Sequence, residues 1–382
     1  MKKFFLTVFF IFFLITPLQA LEEDFEKPII LEPHERAQEE KISPFTKKAL
    51  KGIIEKDYDL KSTDGMFNEQ LYVQFERGFV NDIRFYSHFV HSFDENISDN
   101  DSNLKFNTNI INVGFGGKFK SEKETYNFLF DLTPNAFDDY SHRFLLDAFL
   151  QTTRVKNHKI LLGNSRPQVG IEGGQSARTI PFLLRSQSAR NLSNARKTGL
   201  KIKGDYKYVN YEVGGYSSDV RFHEFFPGVE TTLWLGFKPL ANFDNKYGTL
   251  YLGGGVNTGE RNNVDFTVVS TALTYDYKKF SLQAEYQHAD GSNGASGLTS
   301  AKAQGYNLTL GYMLTKKLQF LLRYDDFDSN KSIKNNNSRE YSAGLNWFIL
   351  GQTARMILNY VYCDNEIRDN SHRIILGTQF IL

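Results

Sequence analysis

The chain has 382 residues, of which 41% are hydrophobic, 23% charged and 15% aromatic, with a formal net charge of +1. The mean hydropathy is negative, which excludes a bundle of transmembrane helices, because each helix needs about 20 consecutive apolar residues. The aromatic content and low net charge argue against disorder. A single cysteine, Cys363, excludes a disulfide framework and thiolate metal clusters. The near-zero charge gives no reason to expect nucleic acid as a partner.

The N-terminus has the pattern of a secretory signal peptide. Lys2 and Lys3 precede an almost wholly apolar run over residues 4–15, and the small residue Ala20 precedes an acidic stretch. Residues 1–20 are therefore predicted to be a signal peptide that is cleaved after export. A retained signal anchor is the alternative, although the apolar run is short for a bilayer span.

Residues 21–66 are rich in Glu, Lys and Pro. Within them, apolar residues recur at helical spacing from Pro44 to Lys56, which predicts one amphipathic helix. We interpret this region as a polar periplasmic N-terminal extension and residues 67–382 as a separate β-barrel domain.

From about residue 81 the polarity of the chain alternates with period two, in segments of roughly ten residues bounded by turn residues. Residues 280–287, for example, have apolar side chains at the even positions and polar side chains at the odd ones. This alternation predicts strands with one apolar and one polar face. Sixteen strands are predicted, near residues 81–93, 109–120, 124–134, 143–153, 158–163, 197–205, 208–217, 231–240, 248–257, 264–277, 279–289, 303–314, 317–326, 339–349, 353–363 and 372–382.

Three features favour a membrane barrel over a soluble β-sandwich. The segments are as long as tilted membrane-spanning strands, and the connections alternate between short turns and long polar loops such as residues 288–302 and 326–338. The apolar faces also end in aromatic residues, as expected for membrane-interface girdles: Tyr275, Tyr277, Tyr312, Tyr341, Trp347, Tyr360 and Tyr362. The prediction is an all-β, transmembrane, antiparallel barrel of sixteen strands in the bacterial outer membrane, surrounded by its lipid.

The third external loop, Asn164 to Lys197, differs from the other connections. It has six basic residues against the single acid Glu172, a net charge of +5, so the rest of the chain without the signal peptide carries −6. It also contains apolar residues, among them Ile180 and Phe182, which are unusual in a freely solvated loop. We therefore expect the loop to fold into the barrel and narrow it.

The strand after this loop adds further positive charge. Successive side chains of a strand point to opposite faces. If Leu200 and Ile202 face lipid, Lys197, Lys201 and Lys203 therefore face the lumen. Rows of Arg and Lys are how pores select anions. The predicted pore constriction and anion-binding set is Arg166, Arg178, Arg185, Arg190, Arg196, Lys197, Lys201 and Lys203.

The alternative interpretation is that these cations are solvated loop charges or contacts to anionic lipid headgroups. The first external loop, with Asp94, Glu95, Asp99 and Asp101, is acidic. An acidic rim would not help to gather anions, and this counts modestly against high anion selectivity.

At this stretch the chain resembles the phosphate-selective porin O and P family. The resemblance depends on residues 146–151 (Leu-Asp-Ala-Phe-Leu-Gln), Gly163, Arg166-Pro167, residues 170–172 (Gly-Ile-Glu), and Phe182 followed by Arg185-Ser186. It departs from the family pattern at Val169 and Leu184. The resemblance implies a sixteen-stranded, homotrimeric barrel with an infolded third loop that conducts small anions, phosphate in particular.

Two other functions remain open. A general or carbohydrate diffusion porin would use inward-pointing aromatic residues, for which Phe149, Trp234 and Phe348 are the candidates. An outer-membrane hydrolase would need a nucleophile beside a histidine, the candidates being His88, His142 and His288. No G-x-S-x-G motif is present, and the eight histidines have no metal-ligand spacing, so we expect no catalytic residues, no metal and no cofactor.

Overall fold

The computed structural model describes residues 72–98, 102–133, 144–219, 224, 226–243, 246–367 and 369–381. The predicted signal peptide, the N-terminal extension with its helix, and His142 lie outside these residues, as do Asp99 and Asp101.

Within the described ranges the chain forms seventeen strands and two short helices. The strands are β1 (Tyr72–Gln74), β2 (Asp82–Ser98), β3 (Ser102–Lys118), β4 (Glu124–Asp131), β5 (Leu145–Thr152), β6 (His158–Ser165), β7 (Lys197–Asp205), β8 (Val209–Ser217), β9 (Val229–Phe237), β10 (Thr249–Arg261), β11 (Val264–Tyr277), β12 (Phe280–Gly294), β13 (Gly297–Met313), β14 (Leu318–Asp328), β15 (Asn337–Leu350), β16 (Ala354–Asn365) and β17 (Ser371–Ile381). The helices, both between β6 and β7, are α1 (Ile171–Gly174) and α2 (Gln187–Leu192). No helix in these ranges is long and apolar enough to cross a membrane.

Strands β2 to β17 close into a ring. Each pairs antiparallel with the next, and β17 returns to pair with β2, for example at Leu376 and Phe93. Strand β1 pairs with β2 and adds a short strand outside the ring. Each of the sixteen described ring strands therefore has a hydrogen-bonded neighbour on both sides, as a bilayer requires. The predicted sixteen-stranded antiparallel barrel is therefore confirmed.

The predicted alternation of faces is present in the wall. In β9, Leu233 and Leu235 are exposed, whereas Thr232 and Trp234, which alternate with them, are buried. We call the face that carries the buried polar side chains the polar face, and the opposite one the apolar face. In β7, Leu200 and Ile202 lie on the apolar face, so Lys197, Lys201 and Lys203 lie on the polar face, as predicted.

A row of aromatic rings on neighbouring strands includes two residues of the predicted girdle, Tyr341 and Tyr362. The ring centroids of Tyr306 and Tyr324 are 5.8 Å apart, those of Tyr324 and Tyr341 5.2 Å, and those of Tyr341 and Tyr362 6.1 Å. His372 continues the row 5.1 Å from Tyr362. Such a row is typical of the membrane–water interface of a barrel.

The glycine run of β10 serves close packing. A Cβ at Gly253 would lie 2.4 Å from the indole of Trp234, and one at Gly255 would lie 2.7 Å from it. The absent side chains thus leave room for a buried tryptophan on the neighbouring strand.

Two predicted loops are wrong. Residues 288–302 were expected to be a long loop, but β12 and β13 continue through them as a hairpin that pairs up to Gly294 and Gly297. Likewise Asp94 and Glu95 belong to β2, not to a loop. The polar composition suggested loops, but a ladder can extend beyond the apolar band wherever both strands still pair their backbone groups.

Candidate functional site

The β6–β7 segment, residues 166–196, is held by polar side chains from distant strands. Each of the following bonds joins the backbone of the segment to a wall side chain: Gln379 Nε2 to Arg178 O (3.1 Å), Arg355 Nη2 to Ile180 O (3.0 Å), Asn346 Nδ2 to Pro181 O (2.8 Å), Leu183 N to Asn359 Oδ1 (3.0 Å) and Arg323 Nη1 to Leu184 O (2.9 Å). An irregular segment has no helix or sheet partners for these backbone groups, so the wall supplies them.

Helix α1 is anchored on β12. The carboxylate of Glu285 accepts the backbone N–H groups of Ile171 (3.0 Å) and Glu172 (3.1 Å), the first two residues of the helix. Gly170, just before the helix, has φ +80°, and a Cβ there would lie 1.9 Å from Glu285 Oε1. Only glycine therefore allows the backbone to approach the carboxylate this closely.

Glu172 is the buried acid of the segment, and its side chain is fully inaccessible. Its Oε1 accepts from Arg323 Nη2 (2.8 Å) and its Oε2 from the backbone N–H of Ser186 (2.9 Å). Burial raises the pKa of this carboxyl, whereas Arg323, the hydrogen bonds from Ser186 and the charge of Arg185 lower it, and the pKa of Glu172 is lowered on balance. Arg185 also donates to the Glu172 carbonyl oxygen.

Helix α2 is capped by its own sequence and by β14. The Ser186 side chain accepts from Ala189 N (3.4 Å), and Asp325 Oδ2 accepts from Gln187 N (2.7 Å). Near the end of the helix Arg190 forms an ion pair with Glu340 at 2.7 Å. Wall carboxylates therefore contact the N-termini of both short helices, where unpaired N–H groups favour negative charge.

An apolar cluster fixes the segment on the same side of the barrel. Val169 and Leu192 of the segment pack with wall residues of β11 to β14, namely Val268, Ala289, Ala303 and Phe327. The apolar residues that distinguished this loop in the sequence are thus partly explained by packing against the wall.

A cavity of about 860 Å³ lies between the segment and strands β2 to β7, with β16 and β17 also contributing. Its charged lining is almost wholly positive. Two acids, Asp131 and Asp147, stand against eleven basic residues: Arg84, Lys118, Lys159, Arg166, Arg178, Arg185, Arg190, Arg196, Lys201, Lys203 and Arg355.

Four of these cations are ion-paired: Arg84 with Asp82, Arg190 with Glu340, Arg196 with Asp147, and Lys203 with Glu212. The other seven form no ion pair with any carboxylate of the described residues. Burial lowers the pKa of Arg178 and of Arg185 to about 10, and both therefore remain charged at neutral pH. The cavity thus keeps a large uncompensated positive charge.

The structure brings most of the predicted constriction residues together. Seven of the eight line the cavity, and the exception is Lys197. The Lys197 ammonium is buried, 2.6 Å from Glu230 Oε2 and 2.9 Å from Asn293 O.

Sequence reasoning missed four lining cations, Arg84, Lys118, Lys159 and Arg355. They lie in β2, β3, β6 and β16. Their position in alternating strands was the available signal, but nothing in the sequence shows which part of the wall faces the segment.

The first-loop acid Asp94 does not form an isolated acidic rim. It is buried in the wall and pairs with Arg373 of β17. The expected argument against anion selectivity is weakened accordingly, because part of that negative charge is neutralised.

The candidate residues of the alternative functions are placed differently. The aromatic candidates for a general or carbohydrate porin all lie on the polar face: Phe149, Trp234 and Phe348. Of these three, only Phe149 lines the cavity, and the indole Nε1 of Trp234 donates to Tyr251 Oη (2.7 Å). His88 contacts the amide of Gln379 (3.3 Å), not a nucleophile. Among the residues described, no group of three His, Cys, Asp or Glu side chains could hold a metal ion.

Comparisons with known proteins agree with this architecture. The model of the family "Phosphate-selective porin O and P" matches residues 251–380. The predicted resemblance to this family is confirmed, although the match lies outside residues 146–186, on which that resemblance depended. No curated protein matches the chain by sequence.

Solved porins share the fold at low sequence identity. Salmonella typhi OmpF in complex with daunomycin is 13% identical, with 79% of this chain and 98% of that chain covered and a TM-score of 0.60. An anion-selective porin from Comamonas acidovorans is 10% identical, with 78% and 99% covered and a TM-score of 0.58. A trimer form of OmpT, an outer membrane protein of Vibrio cholerae, is 12% identical, with 78% and 99% covered and a TM-score of 0.52. The family match and the shared fold together support an outer-membrane porin channel, not an enzyme, and the chain resembles the phosphate-selective porin O and P family.

Proposed function

We propose that the protein is a passive diffusion channel for small anions, phosphate or similar, and that the β6–β7 segment lies inside the barrel as the predicted infolded third loop. Support comes from its hydrogen bonds to polar-face side chains of β12 to β17, since the apolar face of those strands suits lipid. The segment and β7 would then form the constriction.

The observation that carries the proposal is the charge of the cavity lining, eleven basic residues against two acids. Low-dielectric walls focus the field of such a cluster and raise the local concentration of anions. Conduction also requires weak binding at several sites, so that an ion can leave. Seven unpaired cations spread over the segment and four strands suit this requirement better than one tight pocket.

The fixed geometry of the arginines supports the same function. Arg166 Nη1 donates to Gln175 O (2.8 Å), Arg185 Nη2 to the same carbonyl oxygen (2.7 Å), and Lys201 Nζ to Arg166 O (2.8 Å). Carbonyl oxygens hold these groups in place without neutralising them. Their charge stays available to a passing anion.

The deciding experiment is the reversal potential of the purified full chain in a planar bilayer under a potassium chloride gradient. We expect chloride to be preferred over potassium, and Arg178→Gln to reduce the preference. Arg178 suits this test because, among the described residues, its guanidinium holds no part of the segment by a hydrogen bond and instead lies over the ring of Tyr86. Arg339→Gln is the matched control, since Arg339 pairs with Asp326, Asp364 and Glu366 away from the cavity. A preference for potassium in the unmodified protein would refute the proposal.

The passage of phosphate as one solute, export and assembly are further parts of the proposal. Block of the chloride current by millimolar phosphate, weakened in Arg178→Ala and Arg185→Ala, would support phosphate as a solute. We also propose a homotrimer, as in the trimer form of the Vibrio cholerae protein, and removal of residues 1–20 on export to the outer membrane. Mass measurement of the protein extracted from outer membranes, intact and cross-linked, tests both.

A further inference from the structure

The cationic cavity also has an extensive apolar lining. Leu146 and Phe149 of β5, Leu161 of β6, and Leu183 and Leu184 of the β6–β7 segment all line it. Four of these five residues are partly accessible, and Leu161 alone of the five is buried. The cavity therefore offers apolar surface and positive charge to the same solute.

Apolar surface in this position is unexpected for a channel that passes only inorganic ions. The lumen of a membrane barrel is ordinarily polar, and apolar surface left in water costs free energy in proportion to its area. A bare oxyanion such as phosphate has no apolar atoms with which to cover this surface. An anion with an apolar body would cover it and gain affinity.

The same cavity contains two buried arginines with unused donors. Arg178 and Arg355 are 8% and 2% exposed, and neither forms an ion pair within the described residues. Arg178 Nη1 and Arg355 Nε are buried without a hydrogen-bond partner. Gln379 links the two, because it donates to Arg178 O (3.1 Å) and accepts from Arg355 Nη2 (3.1 Å).

Buried guanidinium groups without a counter-charge are costly, and an incoming carboxylate would offset that cost. A carboxylate is planar and accepts two N–H donors from one guanidinium. The cavity volume of about 860 Å³ also falls in the range of about 300–1,000 Å³ that holds drug-sized organic ligands.

From these observations we infer that the channel is selective for organic anions, that is, carboxylates attached to an apolar ring or chain. Arg178 and Arg355 bind the carboxylate, and Phe149 and its apolar neighbours contact the apolar part of the solute. This inference rests on the proposed function and narrows its substrate class.

The test compares four solutes as blockers of the chloride current through the full chain in a planar bilayer: benzoate, acetate, inorganic phosphate and the neutral benzyl alcohol. We expect benzoate to block at a concentration about tenfold below that of acetate, because the ring buries apolar surface. Phosphate should block less well than benzoate, and benzyl alcohol should not block. Equal potency of benzoate and acetate, or stronger block by phosphate, would overturn the inference.

Variants separate the charged from the apolar contribution. Arg355→Gln should weaken block by benzoate and by acetate alike, whereas Arg339→Gln should change neither. Phe149→Ser should remove most of the advantage of benzoate over acetate, and Phe149→Leu should retain part of it. Migration of unheated and heated samples in a detergent gel checks that each variant is folded. If Arg355→Gln leaves the block unchanged in a folded barrel, the carboxylate site is wrong.

The two proposals fail in different ways. If the reversal potential of the unmodified chain shows no preference for anions, the proposed function itself is refuted. Anion preference without an advantage for benzoate would refute only the inference about organic anions.

Discussion

The ion pair between Arg323 and Glu172 is predicted to hold the β6–β7 segment in place. Arg323 donates to Glu172 Oε1 (2.8 Å) and to Leu184 O (2.9 Å), which both belong to the segment. Its Nε donates to Thr309 Oγ1 (3.1 Å), and its guanidinium lies 4.5 Å from the centroid of the Phe182 ring. One wall side chain therefore contacts three residues of the segment.

The perturbation is Arg323→Ala. It leaves the inaccessible carboxylate of Glu172 without its cation, and removing one partner of a buried pair costs about 3–5 kcal/mol. At about 1.4 kcal/mol for each factor of ten, the population with a displaced segment should rise by about 140- to 4,000-fold. A displaced segment widens the channel and removes its cations from the path, so conductance should rise and anion preference should fall.

Two assays measure this change. Single-channel conductance and reversal potential report the width and charge of the pore. Trypsin cleavage at the arginines of the segment, followed by mass spectrometry, reports how often it leaves the wall. Arg339→Ala is the control, because it removes an ion-paired arginine whose partners, Asp326, Asp364 and Glu366, lie outside the segment. In the double variant Glu172→Gln with Arg323→Met no charge is left unpaired, and it should lie closer to the unmodified protein than Arg323→Ala alone. Trypsin resistance and conductance of Arg323→Ala equal to those of the unmodified protein would refute this reasoning.

Three further predictions concern other contacts. Lys197→Met leaves the carboxylate of Glu230 without its cation and should destabilise the barrel by about 3–5 kcal/mol, seen as a lower temperature for the shift in gel mobility. Ion selectivity should stay unchanged because Lys197 does not line the cavity, and a changed reversal potential would contradict this. Gly170→Ala should destabilise the segment by more than about 1 kcal/mol, since the new Cβ meets Glu285, and unchanged trypsin sensitivity would contradict it. The pKa of Glu172 is lowered in the folded protein. Its stabilisation of the segment is therefore present above the pKa of a Glu in the unfolded chain, about 4.3, and is lost as pH falls through the lower folded pKa. Conductance measured from pH 7 to pH 3 should rise in the acid range, and Glu172→Gln should remove that rise.

The strand pattern was predictable because it depends on local geometry. Successive side chains of a strand point to opposite faces, so alternation along residues 197–205 was enough to place Leu200 opposite Lys201. The same reasoning located all sixteen strands of the ring. It failed for residues 288–302, because polar composition resembles a loop even where two strands remain paired.

The clustering of positive charge between β6 and β7 is likewise a property of the sequence alone. A net charge of +5 in one connection of a nearly neutral chain indicates where the electrostatic field of the barrel is concentrated.

Only the tertiary structure decided which of these charges face the cavity. The alternation of side chains along each strand predicts which cations lie on the polar face. It cannot show against which strands of the ring the β6–β7 segment packs. The segment contacts β12 to β17 through Glu285, Asp325 and Asn359, and the cavity opens mainly against β2 to β7. Arg355 therefore joins the cavity from the far end of the chain, whereas Lys197 is removed from it by Glu230. Closure of the ring explains the position of Arg355, because it brings β16 and β17 next to β2 although these strands are distant in sequence. The burial of Lys197 instead depends on its contact with Glu230 of β9, two strands away.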